Sequence, residues 1–174
     1  MKFIHTVHDY DVKLFVNLIN SKSYHALSKL ARFISRTGDG HLYLLLMWSI
    51  YMTAGASSPF LNALLLAFCI ERPLYFLLKN SFKRNRPQHS IKGYKSLVTP
   101  SDQFSFPSGH TSAAFMVANI ASFFIPALFF PLFIWALCVA ISRVVLGVHF
   151  PTDTLMGMLL GISVSIYSLT KVVI

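Results

Sequence analysis

The chain has 174 residues and a formal net charge of +9; 55% of it is hydrophobic, only 12% is charged, and 16 residues are Phe. A soluble domain carries about a quarter of its residues as charges, so this balance excludes one and points to an integral membrane protein. Of the 15 basic residues, six lie at positions 79–95 and six at 2–36, a bunching that suits lipid phosphates and not a nucleic-acid groove.

In chain order, the opening MKFIHTVHDYD has no long apolar core before its first acid, so no cleavable signal peptide is expected. Over residues 9–36, Phe15, Leu18, Ile19, Leu27, Leu30 and Ile34 fall at near-helical spacing. Asn20, Lys22, His25, Lys29 and Arg32 lie between them, with Arg36 just beyond. The pattern predicts two amphipathic helices, broken near NSKS and lying in the membrane interface. A sixth, poor span is the alternative, and charged residues at its centre argue against it at a few kcal/mol each. TGDG at 37–40 reads as a turn into the first span.

A spanning helix needs about 20 mostly apolar residues. Stretches near 42–58, 60–82, 108–125, 127–146 and 152–173 meet or approach this. The short breaks GASSP and Pro126 force antiparallel neighbours. The expected fold is therefore an all-α integral membrane protein, an antiparallel bundle of about five transmembrane helices, with six possible. It forms a single domain, with an interfacial segment at 1–40 and the catalytic bundle at 41–174. Glu71 and Arg72 interrupt the second span and read better as a neutralising ion pair than as an aid to Lys79, about two turns on. Cys69 and Cys138 sit in apolar runs and are expected to be buried packing thiols, since a disulfide framework needs more cysteines in exposed loops. The long polar loop at 83–106 has a length usually reserved for function or disorder.

Threading the spans alternately puts the second span's end, the third's start, the fourth's end and the fifth's start on one side. Lys79, Arg86, Ser108, His110, Arg143, His149 and Asp153 lie at those ends. Each alone is a membrane-boundary anchor, a helix cap or a structural pair. Together, at one interface, they are a functional hypothesis. Lys79, Arg86 and Arg143 suit a phosphate, with Arg as a planar fork and Lys as a movable point charge. Ser108 and Gly109 open a helix whose free N–H groups favour an anion, and Gly allows close approach. His149 and Asp153 are four apart, so the carboxylate can hold one imidazole nitrogen and leave the other as a nucleophile. His110 remains to protonate a leaving oxygen and later activate water. His5, His8, His25, His41 and His89 show no ligand set; His5 and His8 share a helical face without an evident third partner.

Three blocks carry a resemblance. Lys79 is followed after six residues by Arg86-Pro87; Pro107 to His110 read PSGH; Ser142-Arg143 is followed after five residues by His149, and after three more by Asp153. This resembles the three-part signature of the type 2 phosphatidic acid phosphatases, a superfamily shared with the vanadium haloperoxidases, with all eleven fixed positions filled. The resemblance implies His149 as the nucleophile that becomes a phosphohistidine, Asp153 as its orienting partner and His110 as general acid and base. It implies that Lys79, Arg86, Ser108, Gly109 and Arg143 bind the phosphoryl group, with no metal and no cofactor. Membrane lipids are then substrate and solvent, and no obligate protein partner is evident. Undecaprenyl diphosphate, phosphatidylglycerophosphate and phosphatidic acid all remain as substrates. Transfer to another acceptor, and lipid-phosphate binding without turnover, stay open beside hydrolysis. The expected location is the cell membrane, with the catalytic face extracytoplasmic, although the basic 83–106 loop runs against the positive-inside rule.

Overall fold

In the computed structural model, residues 2–173 are described, with side chains from residue 6 onward. The side chains of Lys2 and His5, and Ile174, lie outside the described residues. The helices are α1 (Lys2–Ile19), α2 (Tyr24–Thr37), α3 (Gly40–Ala54), α4 (Pro59–Phe82), the short α5 (Pro87–Ser90), α6 (Gly109–Phe124), α7 (Phe129–Val145) and α8 (Pro151–Val172). A 3-10 turn at Pro126–Leu128 joins α6 to α7. Local chemistry sets the boundaries. Proline occupies the first turn of α4, α5 and α8, where its missing N–H costs nothing. Ser58 Oγ accepts from the Leu61 N–H at the head of α4, and Asp153 Oδ2 accepts from the Phe150 N–H at the head of α8, 2.7 Å away.

Sequential helices in the bundle run antiparallel, as expected, but the broadest contact is between α6 and α8, which run parallel. Its register is visible in three steps. Gly157 faces Ser108, Gly161 faces Ser112, and Asn119 Nδ2 donates to Ser165 Oγ at 2.7 Å. A Cβ on Gly157 would stand 2.5 Å from the Ser108 carbonyl oxygen, and one on Gly161 would stand 2.2 Å from that of Ser112. Two glycines four apart thus let the backbones touch, a small-residue seam suited to lipid, where close packing replaces the hydrophobic effect between helices. α6 is buried on nearly every side, from Thr111 through Ala118 without interruption. α7 closes over it, Ala136, Val139 and Ala140 against Ala114, Phe115 and Ala118.

Among the described residues, three stretches are long and apolar enough to cross a membrane: Pro59–Ser90, Pro126–Val145 and Pro151–Val172. Of the other two expected spans, α3 has 15 residues and α6 has 16, about 24 Å at most at 1.5 Å per residue. Pro126 cuts α6 short, and the Gly38–Gly40 break delays the start of α3.

The two amphipathic helices before it form as expected, broken at 20–23. α2 presents Ser28, Ala31 and Ser35 to the protein, while Leu30 and Phe33 point outward. It packs along α7, with the Trp135 Nε1–H donating to Thr37 Oγ1 at 2.8 Å. Glu71 is fully buried and paired with Arg72, the neutralising arrangement the sequence favoured. The cysteines require correction, since Cys69 is exposed and Cys138 partly so. Their runs are apolar because they face outward from the bundle, where a membrane protein meets lipid.

The glycine seam yields a direct test. Gly161→Ala is expected to cost roughly 1–3 kcal/mol by overpacking, read as a lower melting temperature in detergent. Gly40→Ala, where a Cβ meets nothing within 4 Å, is expected to leave melting unchanged. Equal melting of both variants would remove the seam from the packing account.

Candidate active site

The turn between α7 and α8 delivers His149. Gly147 adopts φ +75, and a Cβ there would collide with the Tyr94 hydroxyl, so glycine is required twice over. The loop beyond α5 grips this turn, with the Leu97 N–H bonded to the Leu146 carbonyl at 3.0 Å. His149 is buried, and its Nδ1 lies 2.7 Å from the Ser105 carbonyl oxygen. A carbonyl only accepts, so Nδ1 carries the proton and Nε2 keeps its lone pair. Ser105 is itself pinned, its N–H to the Arg84 carbonyl at 2.8 Å and its hydroxyl to the Asn85 carbonyl at 3.1 Å. Burial pushes the imidazole down to about 3; Asp153 opposes this, while Arg86 and Arg143 reinforce it. The ring is neutral at physiological pH.

The expected hydrogen bond from Asp153 to His149 is not made. The carboxylate stands 3.8 Å from Nδ1, in ion-pair range only. It is held elsewhere, by the Phe150 N–H and by Arg84 NH1 at 2.8 Å. Arg84 also donates to Thr152 Oγ1 at 2.7 Å, to Asp11 at 2.6 Å and to His8 Nδ1 at 3.3 Å, with its guanidinium over the Phe150 ring. Asp11, on α1, is buried and also accepts from the Thr152 N–H. Asp153 therefore belongs to an Asp11–Arg84–Asp153 chain under the His149 turn, and it acts on the imidazole through charge.

Lys79 and Arg86 meet at a residue the sequence did not single out. Asp102 Oδ1 accepts from Lys79 Nζ at 2.8 Å and from Arg86 NH2, and Oδ2 accepts from the Tyr75 hydroxyl at 2.6 Å. Arg86 also donates through Nε to the Asp102 carbonyl at 3.0 Å and through NH1 to the Val148 carbonyl at 2.6 Å. That last bond ties it to the backbone next to His149. Burial alone would raise the Asp102 carboxyl. The bonds from Lys79 and Tyr75, with the charges of Lys79 and Arg86, outweigh it and hold the group at about 2.

At the head of α6 two expectations change. The Ser108 N–H is occupied, donating to the Asp153 carbonyl at 3.0 Å, and its hydroxyl accepts from Thr111 Oγ1. Ser108 thus locks α6 to α8, and the N–H groups of the next residues head the helix. Gly109 is dictated by Tyr75, whose ring lies 2.8 Å from where a Cβ would be. His110 Nε2 lies 3.0 Å from Asp39 Oδ1, in the turn before α3. Arg143 donates through NH1 to Ser35 Oγ, while its buried Nε has no hydrogen-bond partner among the described residues. Arg143, His110, Asp39 and Ser101 line one polar cleft of about 290 Å³. A second cleft of about 390 Å³ adjoins it at His110 and Ser101, walled by Leu44, Met47 and Phe68.

All eight residues expected from the sequence therefore lie at one end of the bundle. The arrangement offers a neutral imidazole with one free nitrogen, three cations and a second histidine beside a carboxylate. Such a set can attack a phosphorus centre and stabilise the charge that develops.

A family model described as the PAP2 superfamily matches residues 56–173. Among curated proteins, the chain is 33% identical over 99 residues to decaprenylphosphoryl-5-phosphoribose phosphatase of Mycobacterium tuberculosis, covering 55% of this chain and 51% of that one. It is 36% identical over 110 residues to phosphatidylglycerophosphatase B of Bacillus subtilis, covering 57% and 51%. The chain thus spans about half the length of the curated relatives it matches. Among solved structures, Aquifex aeolicus LpxE superposes with a TM-score of 0.79 at 29% identity, over 91% of this chain and 93% of that one. A transmembrane PAP2-type phosphatidylglycerolphosphate phosphatase from Bacillus subtilis gives 0.81 at 28% identity, over 95% and 86%.

The burial of His149 predicts a pH dependence of stability. An unfolded imidazole titrates near 6.5, whereas the folded one titrates at about 3. Between those values the unfolded chain binds the extra proton. The stabilisation is complete above about pH 6.5 and is lost as pH falls toward 3. Between pH 8 and 5 the wild-type melting temperature is expected to fall more steeply than that of His149→Asn. Parallel curves would mean that burial does not hold the ring neutral.

Proposed function

Because this chain belongs to the PAP2 superfamily, we propose that it is a membrane phosphatase that hydrolyses a phosphate or diphosphate carried by a lipid. The observation that carries the reading is the His149 ring, neutral and fixed through Nδ1, with Nε2 left to attack. Two relatives, a decaprenylphosphoryl-5-phosphoribose phosphatase and a phosphatidylglycerophosphatase, are named for substrates that share one chemistry, a phosphate on a lipid-borne group. The three long apolar helical stretches and the transmembrane structural relative agree with a membrane protein.

In the proposed mechanism, His149 Nε2 attacks phosphorus and the P–O bond to the lipid breaks. His110 gives its proton to the departing oxygen, leaving a phosphohistidine. His110 then takes a proton from water, the water oxygen attacks phosphorus, the P–N bond breaks, and inorganic phosphate leaves. Lys79, Arg86, Arg143 and the N–H groups heading α6 at Gly109 stabilise the phosphoryl oxygens, and Ser108 keeps that helix end in place. Asp153 balances the charge that builds on His149, and Asp39 orients His110. The apolar cleft at Leu44, Met47 and Phe68 receives the lipid chain while its polar neighbour takes the headgroup.

Phosphate release by purified protein in detergent, from phosphatidylglycerophosphate, phosphatidic acid and undecaprenyl diphosphate side by side, tests the activity and ranks the substrates. His149→Ala is expected to reduce release to background with the protein still folded. Near-normal turnover in that variant would sink the mechanism. Arg143→Lys replaces a fork with a point charge and is expected to cost roughly 1–3 kcal/mol in kcat/KM. The catalytic face is proposed to be extracytoplasmic. A cysteine at Ser90 in intact cells is expected to react with an impermeant reagent while one at Lys171 does not; the reverse pattern would place the site inside.

A further inference from the structure

Asp102 places a carboxylate on the two cations that the proposed mechanism assigns to phosphate. Lys79 and Arg86 both donate to its Oδ1, and Tyr75 donates to Oδ2. Two oxygens on one carbon, receiving donors from two sides, present to Lys79 and Arg86 what two phosphoryl oxygens would present. The side chain is 31% exposed, so it sits at the mouth of the site and not beneath it.

Few backbone bonds hold the segment that carries Asp102. Its segment is anchored at Leu97, which bonds to the Leu146 carbonyl, and at Ser105, which bonds to the Arg84 carbonyl. Among the described residues, no backbone–backbone hydrogen bond involves residues 98–104 between those anchors. Val98 packs against the cluster around Leu146 and Val148, and beyond it the Asp102 contacts, including its carbonyl on Arg86 Nε, hold the segment. Losing them would leave the Ser105–His149 bond in place.

We propose that Asp102 is an internal anion that holds Lys79 and Arg86 until a lipid-borne phosphate displaces it. This rests on the reading of Lys79 and Arg86 as phosphate ligands. Free phosphate must break the Asp102 contacts with only its own charge. A lipid phosphate also brings the binding of its chain, which offsets the displacement. The apparent dissociation constant of any anion is raised by the inverse of the fraction of sites that are open. The device thus weakens every anion by the same factor, which keeps free product phosphate from accumulating on the cations at concentrations where a lipid-borne phosphate, tighter through its chain, still binds.

Binding of inorganic phosphate to the purified full chain in detergent, followed by calorimetry, tests this without turnover. Asp102→Asn is expected to tighten phosphate binding by about tenfold or more, as the open fraction rises toward one. Asp9→Asn makes the same charge change at an exposed position of α1, away from both cations, and is expected to stay within about twofold of wild type. Unchanged or weaker binding by Asp102→Asn overturns the proposal, and so does an equal gain in both variants, which would be bulk charge alone. If Asp102→Asn does not fold, Tyr75→Phe removes the donor to Oδ2 and is expected to tighten binding by about threefold; no gain there overturns the proposal. Tighter phosphate binding in a protein that releases phosphate from no lipid would support the internal anion and reject the lipid-phosphatase reading alone.

Discussion

The contact between α6 and α8 governs the rest of the molecule. Two missing side chains, at Gly157 and Gly161, let the α8 backbone meet the carbonyls of Ser108 and Ser112. Because the helices run parallel, their starts lie side by side, and the Ser108 N–H reaches the Asp153 carbonyl. That one register places the head of α6, with Gly109 and His110, beside the turn that ends in His149. A bundle joined only by antiparallel hairpins brings an end and the following start together. The parallel seam brings two starts together, and with them the positive ends of two helix dipoles.

Charge is then organised with few acids. The chain has six, and four of them, Asp11, Asp39, Asp102 and Asp153, lie at the end of the bundle that holds His149. Each is matched to a cation or an imidazole: Asp11 and Asp153 to Arg84, Asp102 to Lys79 and Arg86, Asp39 to His110. A low-dielectric setting makes an unmatched charge costly, so pairing is what allows several cations to share a small volume. The same pairing sets their geometry, which is why Arg86 reaches the Val148 carbonyl while it holds Asp102.

Sequence and structure agree where the signal is local. Apolar runs, prolines at helix starts and the spacing of the three blocks are visible to hydropathy and to short-range motif reading. The convergence of Lys79, Arg86, Ser108, Gly109, His110, Arg143, His149 and Asp153 follows from alternate threading. Ser105, Asp102, Arg84, Asp11 and Asp39 were not legible, because each acts through a partner distant in sequence and sits in a loop or an amphipathic helix without periodic demand. Ser105 acts through its carbonyl, which leaves no mark on residue type. The Gly157–Gly161 spacing did carry a signal, the small-residue repeat of membrane helices. Gly109 shows a further demand that the sequence does not display, the Tyr75 ring that a Cβ there would meet.

The bond from Thr152 to Asp11 spans 141 positions, which has a consequence for how the protein is made. Asp11 emerges from the ribosome long before Arg84, and longer still before Thr152 and Asp153. Until then its carboxylate, buried in the finished protein, lacks its full set of donors from Arg84 and Thr152 and must remain hydrated. α1 can be translated early, yet its docking waits for α8 to enter the bilayer. α1 is therefore made before α8 yet locks only after it, and the end of the bundle that holds His149 matures only once α8 has been delivered.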